Sequence, residues 1–205
     1  MPNPSAPPRL PTRPVVGAAA VRPVIWLVGL SHGTNHFLML IFPAVLLLVQ
    51  EEFGLGYGAL GMLANAGLLL YGLGALPAGI LADRLGGERI LAVWLVGGGL
   101  SCLAIAAAGG PLTLALGLAA LGLFASLHHP AGSGLLVALR DVPAVSVSRA
   151  FGLVGLLGNW GLGTAPLVAE AIGAAWGWRQ AFLAGAVPAL LLGACLWRRP
   201  RLAAP

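Results

Sequence analysis

All four histidines of the 205-residue chain fall inside two apolar segments, as one pair in the first segment and one pair in the fourth. Ionisable groups cost about 2.5 kcal/mol or more in hydrocarbon, so they are rare there and usually face a cavity or a partner. Asn35 and His36 follow His32 by three and four residues, so the three side chains share one face of a helix. The sequence therefore predicts a substrate cavity lined by His32, Asn35, His36, His128 and His129.

The two histidine pairs are predicted at the same depth in the membrane. From the helical rise, His32 and His36 lie roughly 12 and 18 Å from the start of their segment. The other pair lies roughly 14 to 15 Å from the end of the fourth segment. This coincidence favours one shared site if the two segments are neighbours.

Three interpretations of the histidines stay open. The imidazoles could line a cavity, where they relay protons or hold an anionic solute. They could instead donate to backbone carbonyls that Pro43 or Pro130 leaves without a partner. A divalent transition metal is the third possibility, but no cysteine or carboxylate lies nearby to complete a tetrahedral set. No metal ligand and no cofactor is therefore predicted.

The elements that must position these residues are apolar. Hydrophobic residues make up 59% of the chain and charged residues only 8%, whereas a soluble domain carries about 25% charged residues. Lipid must therefore solvate most of the exterior. All eleven basic residues are arginines, so the P-loop lysine and a Schiff-base lysine are both excluded. Arginines scattered beside apolar runs also argue against a nucleic-acid partner.

Six apolar segments of roughly bilayer-spanning length follow one another. They cover residues 24–49, 59–81, 90–109, 112–138, 150–174 and 180–197. The predicted fold is an all-α membrane protein, with six transmembrane helices in residues 24–197. Residues 1–23 are predicted to be a disordered, basic, proline-rich cytoplasmic tail, and residues 198–205 a short basic cytoplasmic tail.

The placement of arginine predicts the orientation. Ten of the eleven arginines lie at one set of segment ends, and Arg179 alone lies at the other. Cytoplasmic loops hold the excess of positive residues, and an even number of spans puts both termini on one side. We therefore expect a multi-pass protein of the cell (inner) membrane with both termini in the cytoplasm.

The fifth segment carries four glycines at three-residue intervals between residues 152 and 161. Small residues permit close helix contact, so static packing and a sliding surface are both open. Asn159 is expected to make a hydrogen bond to another helix. The alternative is that it marks a bend in its own helix. The predicted helix bend comprises Gly158, Asn159, Gly161 and Pro166.

Two short motifs suggest enzymes and are set aside. Residues 56–61 satisfy GxGxxG, but the dinucleotide fingerprint needs a preceding strand in a βαβ unit. Residues 131–134 come within one residue of the GxSG of intramembrane serine proteases, with Ser133 as the nucleophile. Such a serine needs a histidine on a later segment, and none follows His129. No enzymatic activity is predicted.

The loop after the second segment reads GILADRLGGER from Gly79 to Arg89. It resembles the signature loop between helices two and three of the major facilitator superfamily: glycine, three residues, Asp-Arg, one residue, Gly-Gly, then basic positions. Glu88 departs from the pattern at a position that is usually basic. The resemblance implies a gating loop formed by Gly79, Asp83, Arg84, Gly86, Gly87 and Arg89.

Other stretches are similar to the same family. Residues 177–182 look like the GWR-x-x-F that opens helix six, and residues 158–163 loosely match the glycine-rich motif of helix five. Within the family, residues 31–37 and the His129-Pro130 pair are similar to the fosmidomycin-resistance-like branch. His36 stands where that branch usually has an aspartate, which puts proton coupling in doubt.

The resemblance covers about residues 24–197, the N-terminal half of a twelve-helix family in which helices one and four line the central cavity. It implies a half-size secondary transporter that moves a small solute, by uptake or efflux, through alternating access. The implied partners are a small-molecule substrate, the lipid bilayer and a second six-helix half, as a homodimer or a separate chain. The alternative is a non-transporting six-helix scaffold or a truncated transporter fragment.

Overall fold

The structure is a computed structural model, and it describes residues 18–142 and 145–198. The regular elements in these ranges are all helical, with a short 3₁₀ turn, Leu139–Asp141, after the sixth helix. The helices are α1 (Ala18–Ala44), α2 (Leu46–Phe53), α3 (Tyr57–Leu85), α4 (Gly87–Ala106), α5 (Pro111–Ala125), α6 (His128–Ala138), α7 (Val147–Trp176) and α8 (Trp178–Trp197).

Six helical stretches within the described residues are long and apolar enough to cross a membrane, and α5 and α6 together make the fourth. The predicted all-α fold with six membrane spans is confirmed. The GxGxxG stretch begins α3 and follows the short helix α2. It therefore lacks the preceding strand that a dinucleotide fingerprint needs.

The first helix begins earlier than the sequence predicts. α1 starts at Ala18, so residues 18–23, which the sequence analysis places in the N-terminal tail, are helical in the structure. Three consecutive alanines open the helix, and alanine has the highest helix propensity. Pro23 lies within the first two turns and does not end the helix. Residues 1–17 and 199–205 of the predicted tails lie outside the described residues.

The fourth span is interrupted immediately before the second histidine pair. Pro130 has no N–H for the carbonyl of Ser126, and its ring clashes with that carbonyl in a regular helix. The chain tightens at this point, where the Leu127 N–H donates to the Phe124 carbonyl at 3.1 Å. α5 therefore ends there, and α6 begins with His128.

Glycines bring the backbones of neighbouring spans into direct contact. A side-chain carbon at Gly161 of α7 would overlap the backbone of Gly33 in α1, and one at Gly122 of α5 would overlap that of Gly67 in α3. Small residues at such crossings permit close helix approach in membranes. The first span is therefore fixed against the fifth, and the second against the fourth.

Of the four regularly spaced glycines in α7, two pack against α1 and two do not. A side-chain carbon at Gly158 would overlap the His32 ring, whereas Gly152 and Gly155 have nothing within 4 Å of such a carbon. α7 is helical throughout, including at Pro166. The predicted bend stays a prediction, because close packing also accounts for the buried glycines of the row.

Gly161→Ala should destabilise the bundle by about 1–3 kcal/mol, because the added methyl forces α1 and α7 apart. Gly163→Ala is the matched control, since its added carbon meets nothing within 4 Å, and alanine favours helix by about 1 kcal/mol. Thermal unfolding in detergent measures both variants. Equal stability of the two variants would contradict the packing described here.

A cluster of charged and aromatic side chains joins α2 to α8. Arg179 donates two hydrogen bonds to the carboxylate of Glu52, at 2.6 and 2.7 Å. The Trp178 indole N–H donates to the same carboxylate at 2.7 Å, and Arg179 also donates to the Ala108 carbonyl at 2.8 Å. We call this group the Glu52–Arg179 clamp. It ties together the ends of the first, third and sixth spans and gives the GWR stretch a structural role.

The clamp makes the stability of the fold depend on pH. The hydrogen bonds from Arg179 lower the pKa of Glu52 below 4.5. A carboxyl with a lowered pKa in the folded state contributes stability above its unfolded pKa and loses it as the pH falls through the folded value. Both partners of the ion pair are about one-third exposed, so water screens this contribution.

Glu52→Gln should lower the free energy of unfolding by about 1 kcal/mol at neutral pH, the upper end for an exposed pair, because the arginine contact is bidentate. Below pH 4.5 the wild-type protein should lose this advantage, so the two unfolding curves should converge. Thermal unfolding at several pH values tests this, with Glu51→Gln on the adjacent exposed carboxylate as the control. A gap that persists unchanged in acid would contradict the ionic basis of the clamp.

Candidate functional site: a histidine cluster between the first and fourth spans

The structure brings the four histidines into one group, which we call the histidine cluster. The ring centroid of His32 lies 4.7 Å from that of His36 and 5.1 Å from those of His128 and His129. His129 also lies 5.1 Å from His128 and 5.9 Å from His36. α1 supplies one pair and α6 the other. The two spans are neighbours, and the histidines form one polar layer.

His32 is hydrogen-bonded through both ring nitrogens. Its Nδ1–H donates to the carbonyl of Val154 in α7 at 3.0 Å, because a carbonyl can only accept. The Nε2 of the neutral ring is then an acceptor, and the Nε2–H of His36 donates to it at 3.0 Å. These contacts fix the tautomer of both rings, so the lone pair of His32 points towards His36.

His128 is buried and is connected to α4 through a serine. Its Nδ1 lies 3.0 Å from the hydroxyl oxygen of Ser31, and that oxygen accepts a hydrogen bond from the Trp94 indole N–H at 3.1 Å. All three groups are satisfied when the Ser31 hydroxyl proton points to Nδ1 of His128. The sequence analysis missed Ser31 and Trp94, and the available signal was the place of Ser31 beside His32.

The hydrogen bonds of the cluster differ from the interpretation in which the histidines donate to backbone carbonyls that a proline leaves without a partner. His32 is hydrogen-bonded to His36 and to Val154, and His128 is hydrogen-bonded to Ser31. Among the hydrogen bonds of the described residues, none joins these rings to the carbonyl four residues before Pro43 or Pro130. The histidines thus bind side chains and a neighbouring helix.

Asn35 is completely buried beside the cluster. Its side-chain N–H donates to the carbonyl of Ala125, the last residue of α5, at 2.9 Å. The side-chain oxygen has no hydrogen-bond partner among the described residues. Asn35, His36 and Tyr71 line a cavity of about 290 Å³ between α1, α3 and α5. The cavity wall is therefore mostly apolar here, and the unpaired Asn35 oxygen is itself buried.

A second cavity, of about 150 Å³, is lined by His32, His128 and His129. Ser133 lines it too. Among the hydrogen bonds of the described residues, none joins Ser133 to a histidine, so no Ser–His pair forms there. The histidine cluster therefore borders two cavities, a larger, mainly apolar one at His36 and a smaller one at the other three histidines.

The glycines of the predicted gating loop have structural roles. Gly86 ends α3 at φ 92°, a left-handed conformation that favours glycine. Gly87 opens α4, where a side-chain carbon would lie 2.7 Å from Leu135 and 2.9 Å from the Ala131 carbonyl. Both residues therefore set the tight turn between the second and third spans against α6.

The other members of the gating loop surround this turn. Gly79 lies in α3, where an added side-chain carbon would be in ordinary contact with Pro130 at 3.9 Å. The charged members are exposed at this end of the bundle: Asp83, Arg84 and Arg89. The glycines of the predicted loop thus pack against α6, which also carries His128 and His129.

Ser31→Ala should destabilise the protein by about 1–3 kcal/mol, because it leaves the Trp94 N–H and the His128 Nδ1 buried without their partner. Ser101→Ala is the matched control. Ser101 is a buried serine whose hydroxyl bonds only to Gly97 in its own helix, at 2.7 Å. Thermal unfolding in detergent should separate the two variants. Equal losses would contradict the network that we describe.

The fold and the site define a multi-pass helical membrane protein with a polar site between its first and fourth spans. The sequence model described as Major Facilitator Superfamily matches residues 25–205. The chain therefore belongs to the major facilitator superfamily.

Two curated proteins are similar in sequence. The chain is 30% identical to a gallate transporter of Pseudomonas putida over 149 residues, which is 73% of this chain and 33% of the relative. It is 33% identical to the puromycin resistance protein pur8 of Streptomyces alboniger over 155 residues, which is 75% of this chain and 31% of the relative. The aligned region thus makes up about one-third of each relative.

Solved transporter structures share the fold. A bacterial homologue of the human lysosomal transporter Spinster, inward-facing and unoccupied, matches with a TM-score of 0.80 and 18% identity, over 92% of this chain and 44% of that chain. A peptide transporter in complex with sulfate matches with a TM-score of 0.69 and 21% identity, over 91% of this chain and 39% of that chain. The six-helix bundle therefore corresponds to less than half of each of these chains.

Proposed function

We propose that this chain is one six-helix half of a secondary transporter that moves a small solute across the membrane by alternating access. The observation that carries the proposal is the group of four histidines and Asn35 at the middle of otherwise apolar spans. Buried polar groups at this depth are costly and usually serve a substrate or ion pathway. Family membership and the transporter relatives support the same reading.

The exposed faces of α3 and α7 support a requirement for a second half. These are the least buried of the six spans, with 22% of each apolar window buried, against 67% for α4. α7 exposes Trp160, and beside it the polar Asn159, on a membrane-depth surface. A second copy of this chain, or a separate six-helix half, would cover both faces and enclose the histidine cluster.

The cavity beside Asn35 favours a small organic solute that carries a hydrogen-bond donor. Its walls are mostly apolar side chains, and the Asn35 oxygen is an acceptor with no partner within the described residues. That oxygen is buried, so the Asn35 side chain would have to turn towards the cavity before a hydroxyl or amine of the solute could donate to it. A few polar groups usually orient a ligand in an apolar pocket in this way. Gallate and puromycin, named for the two relatives, are the first probes to use.

The finer predictions of the sequence analysis belong to the same proposal. We infer an inner-membrane protein with both termini in the cytoplasm, which rests on the arginine distribution. Asp83 and Arg84 would then meet the opposite half at the cytoplasmic end and hold the outward-facing state. Membership of the fosmidomycin-resistance-like branch rests on the sequence around His32 and His129 and stays a prediction.

His36→Gln and His128→Gln should each reduce transport by about 10-fold or more, because each removes an imidazole from the proposed cavity. The assay is uptake or efflux of radiolabelled gallate and puromycin in vesicles that contain the chain with its second half. Thr34→Val is the matched control, since Thr34 bonds only to Leu30 of its own helix and lines a different cavity.

Membrane insertion of each variant is checked by the amount of protein in the membrane fraction. Undiminished transport in both histidine variants would overturn the cavity assignment. A wild-type chain that forms monomers and is stabilised by neither probe would favour the alternative, a scaffold or a transporter fragment without activity of its own.

A further inference from the structure

Three histidines of the cluster lie within reach of a single ion. One ring nitrogen from each of His32, His36 and His129 falls within 4.8 Å of the other two. Imidazole binds Zn²⁺ at about 2.0–2.1 Å, so the nitrogens of a tetrahedral site are about 3.3 Å apart. The Nε2 atoms of His32 and His36 are already 3.0 Å apart, so only His129 has to approach.

His32 is arranged as a metal ligand of this kind requires. Its Nδ1–H is held by the Val154 carbonyl at 3.0 Å. A second hydrogen bond of this type is found on almost every metal-binding histidine, because it fixes the tautomer and orients the ring. The lone pair on Nε2 of His32 is therefore directed at the space shared with His36.

The other two ligands lie next to His32, and His36 joins the site once its Nε2 proton has moved to Nδ1. His36 follows His32 by one helical turn, the spacing at which two histidines on one helix face bind zinc. His129 is exposed. Its contacts within the described residues are to aromatic rings and not hydrogen bonds, so its nitrogens are available. His128 stays outside the set, since its Nδ1 is paired with Ser31 in the buried network.

The ligand set selects the chemical class of the ion. Neutral imidazole nitrogens suit Zn²⁺, Ni²⁺, Co²⁺ and Cu²⁺, whereas Mg²⁺ and Ca²⁺ prefer oxygen. Cysteine or carboxylate ligands are not needed, because three histidines hold zinc in sites that keep a fourth position open. The adjoining cavity of about 150 Å³ has room for a water molecule or an anion in that position.

We propose that His32, His36 and His129 form a binding site for a divalent transition-metal ion, with one coordination position open. This site does not depend on transport, since binding to the isolated chain would show it whether or not a solute is moved. Two metal–nitrogen bonds replace the hydrogen bond between His32 and His36, and the His36 proton moves from Nε2 to Nδ1, since a neutral imidazole binds a metal through its unprotonated nitrogen. The exposed His129 ring also gains a partner.

The test is titration of the purified full chain with Co²⁺. The chain carries an affinity tag that contains no histidine. Tetrahedral Co²⁺ has intense visible absorption, and Zn²⁺ added afterwards should abolish it by displacement. We expect one ion per chain. His32→Gln and His36→Gln should each weaken Co²⁺ binding by at least about 100-fold, since loss of a direct ligand exceeds the 10–100-fold effect of removing a supporting hydrogen bond.

His128→Gln is the matched control, because His128 lies 5.1 Å from the His32 ring but is not one of the three ligands. This variant should bind Co²⁺ within about 3-fold of the wild-type affinity. By comparison, removing a residue that hydrogen-bonds to a metal ligand lowers metal affinity by about 10–100-fold. Circular dichroism in the same detergent establishes that each variant is folded. The proposal is overturned if the wild-type chain gives no Co²⁺ spectrum, if folded His36→Gln binds as well as wild type, or if His128→Gln abolishes binding as His36→Gln does.

Discussion

The structure depends on one constraint, which is that a polar group at membrane depth must find its partner inside the protein. Lipid offers no hydrogen bonds, so an unpaired imidazole or hydroxyl there costs several kcal/mol. The chain meets this constraint with two short networks. One joins Trp94, Ser31 and His128, and the other joins Val154, His32 and His36. Together they connect α1 to α4, α6 and α7.

Glycine makes these networks possible. A side-chain carbon at Gly158 would occupy the space of the His32 ring, so that glycine gives the imidazole its place against α7. One turn further on, Gly161 lets the two backbones touch at Gly33, which keeps the Val154 carbonyl within reach of His32. Close packing and polar pairing are therefore the same feature of the α1–α7 contact. Within the described residues, Asn35 and His129 depart from this pairing: the Asn35 side-chain oxygen has no hydrogen-bond partner, and the His129 ring has ring contacts alone.

Much of this architecture could be predicted from the sequence. The apolar runs gave the six spans, and the depth arithmetic brought His32 and His128 to one layer, because helical rise is nearly constant. The sequence analysis treats residues 112–138 as one segment, whereas the structure divides this span into α5 and α6 just before Pro130. Local rules fix the elements, and tertiary packing decides such details.

The partners of the site residues could not be predicted. Trp94 and Val154 are ordinary residues in apolar runs, and only the packing of α1 against two other helices makes them hydrogen-bond partners. No sequence pattern links Glu52 to Arg179, because 127 residues separate the two partners. The exposed faces of α3 and α7 became visible only in the folded bundle.

The exposed faces of α3 and α7 support the central proposal, which is that this six-helix body works together with a second half. The most direct test is the protein mass of the chain purified in mild detergent or nanodiscs, determined by native mass spectrometry with any co-purified membrane partner. The account predicts particles that contain two six-helix bodies, either two copies of the chain or one copy with a stoichiometric partner. A stable particle with a single copy and no partner would contradict it.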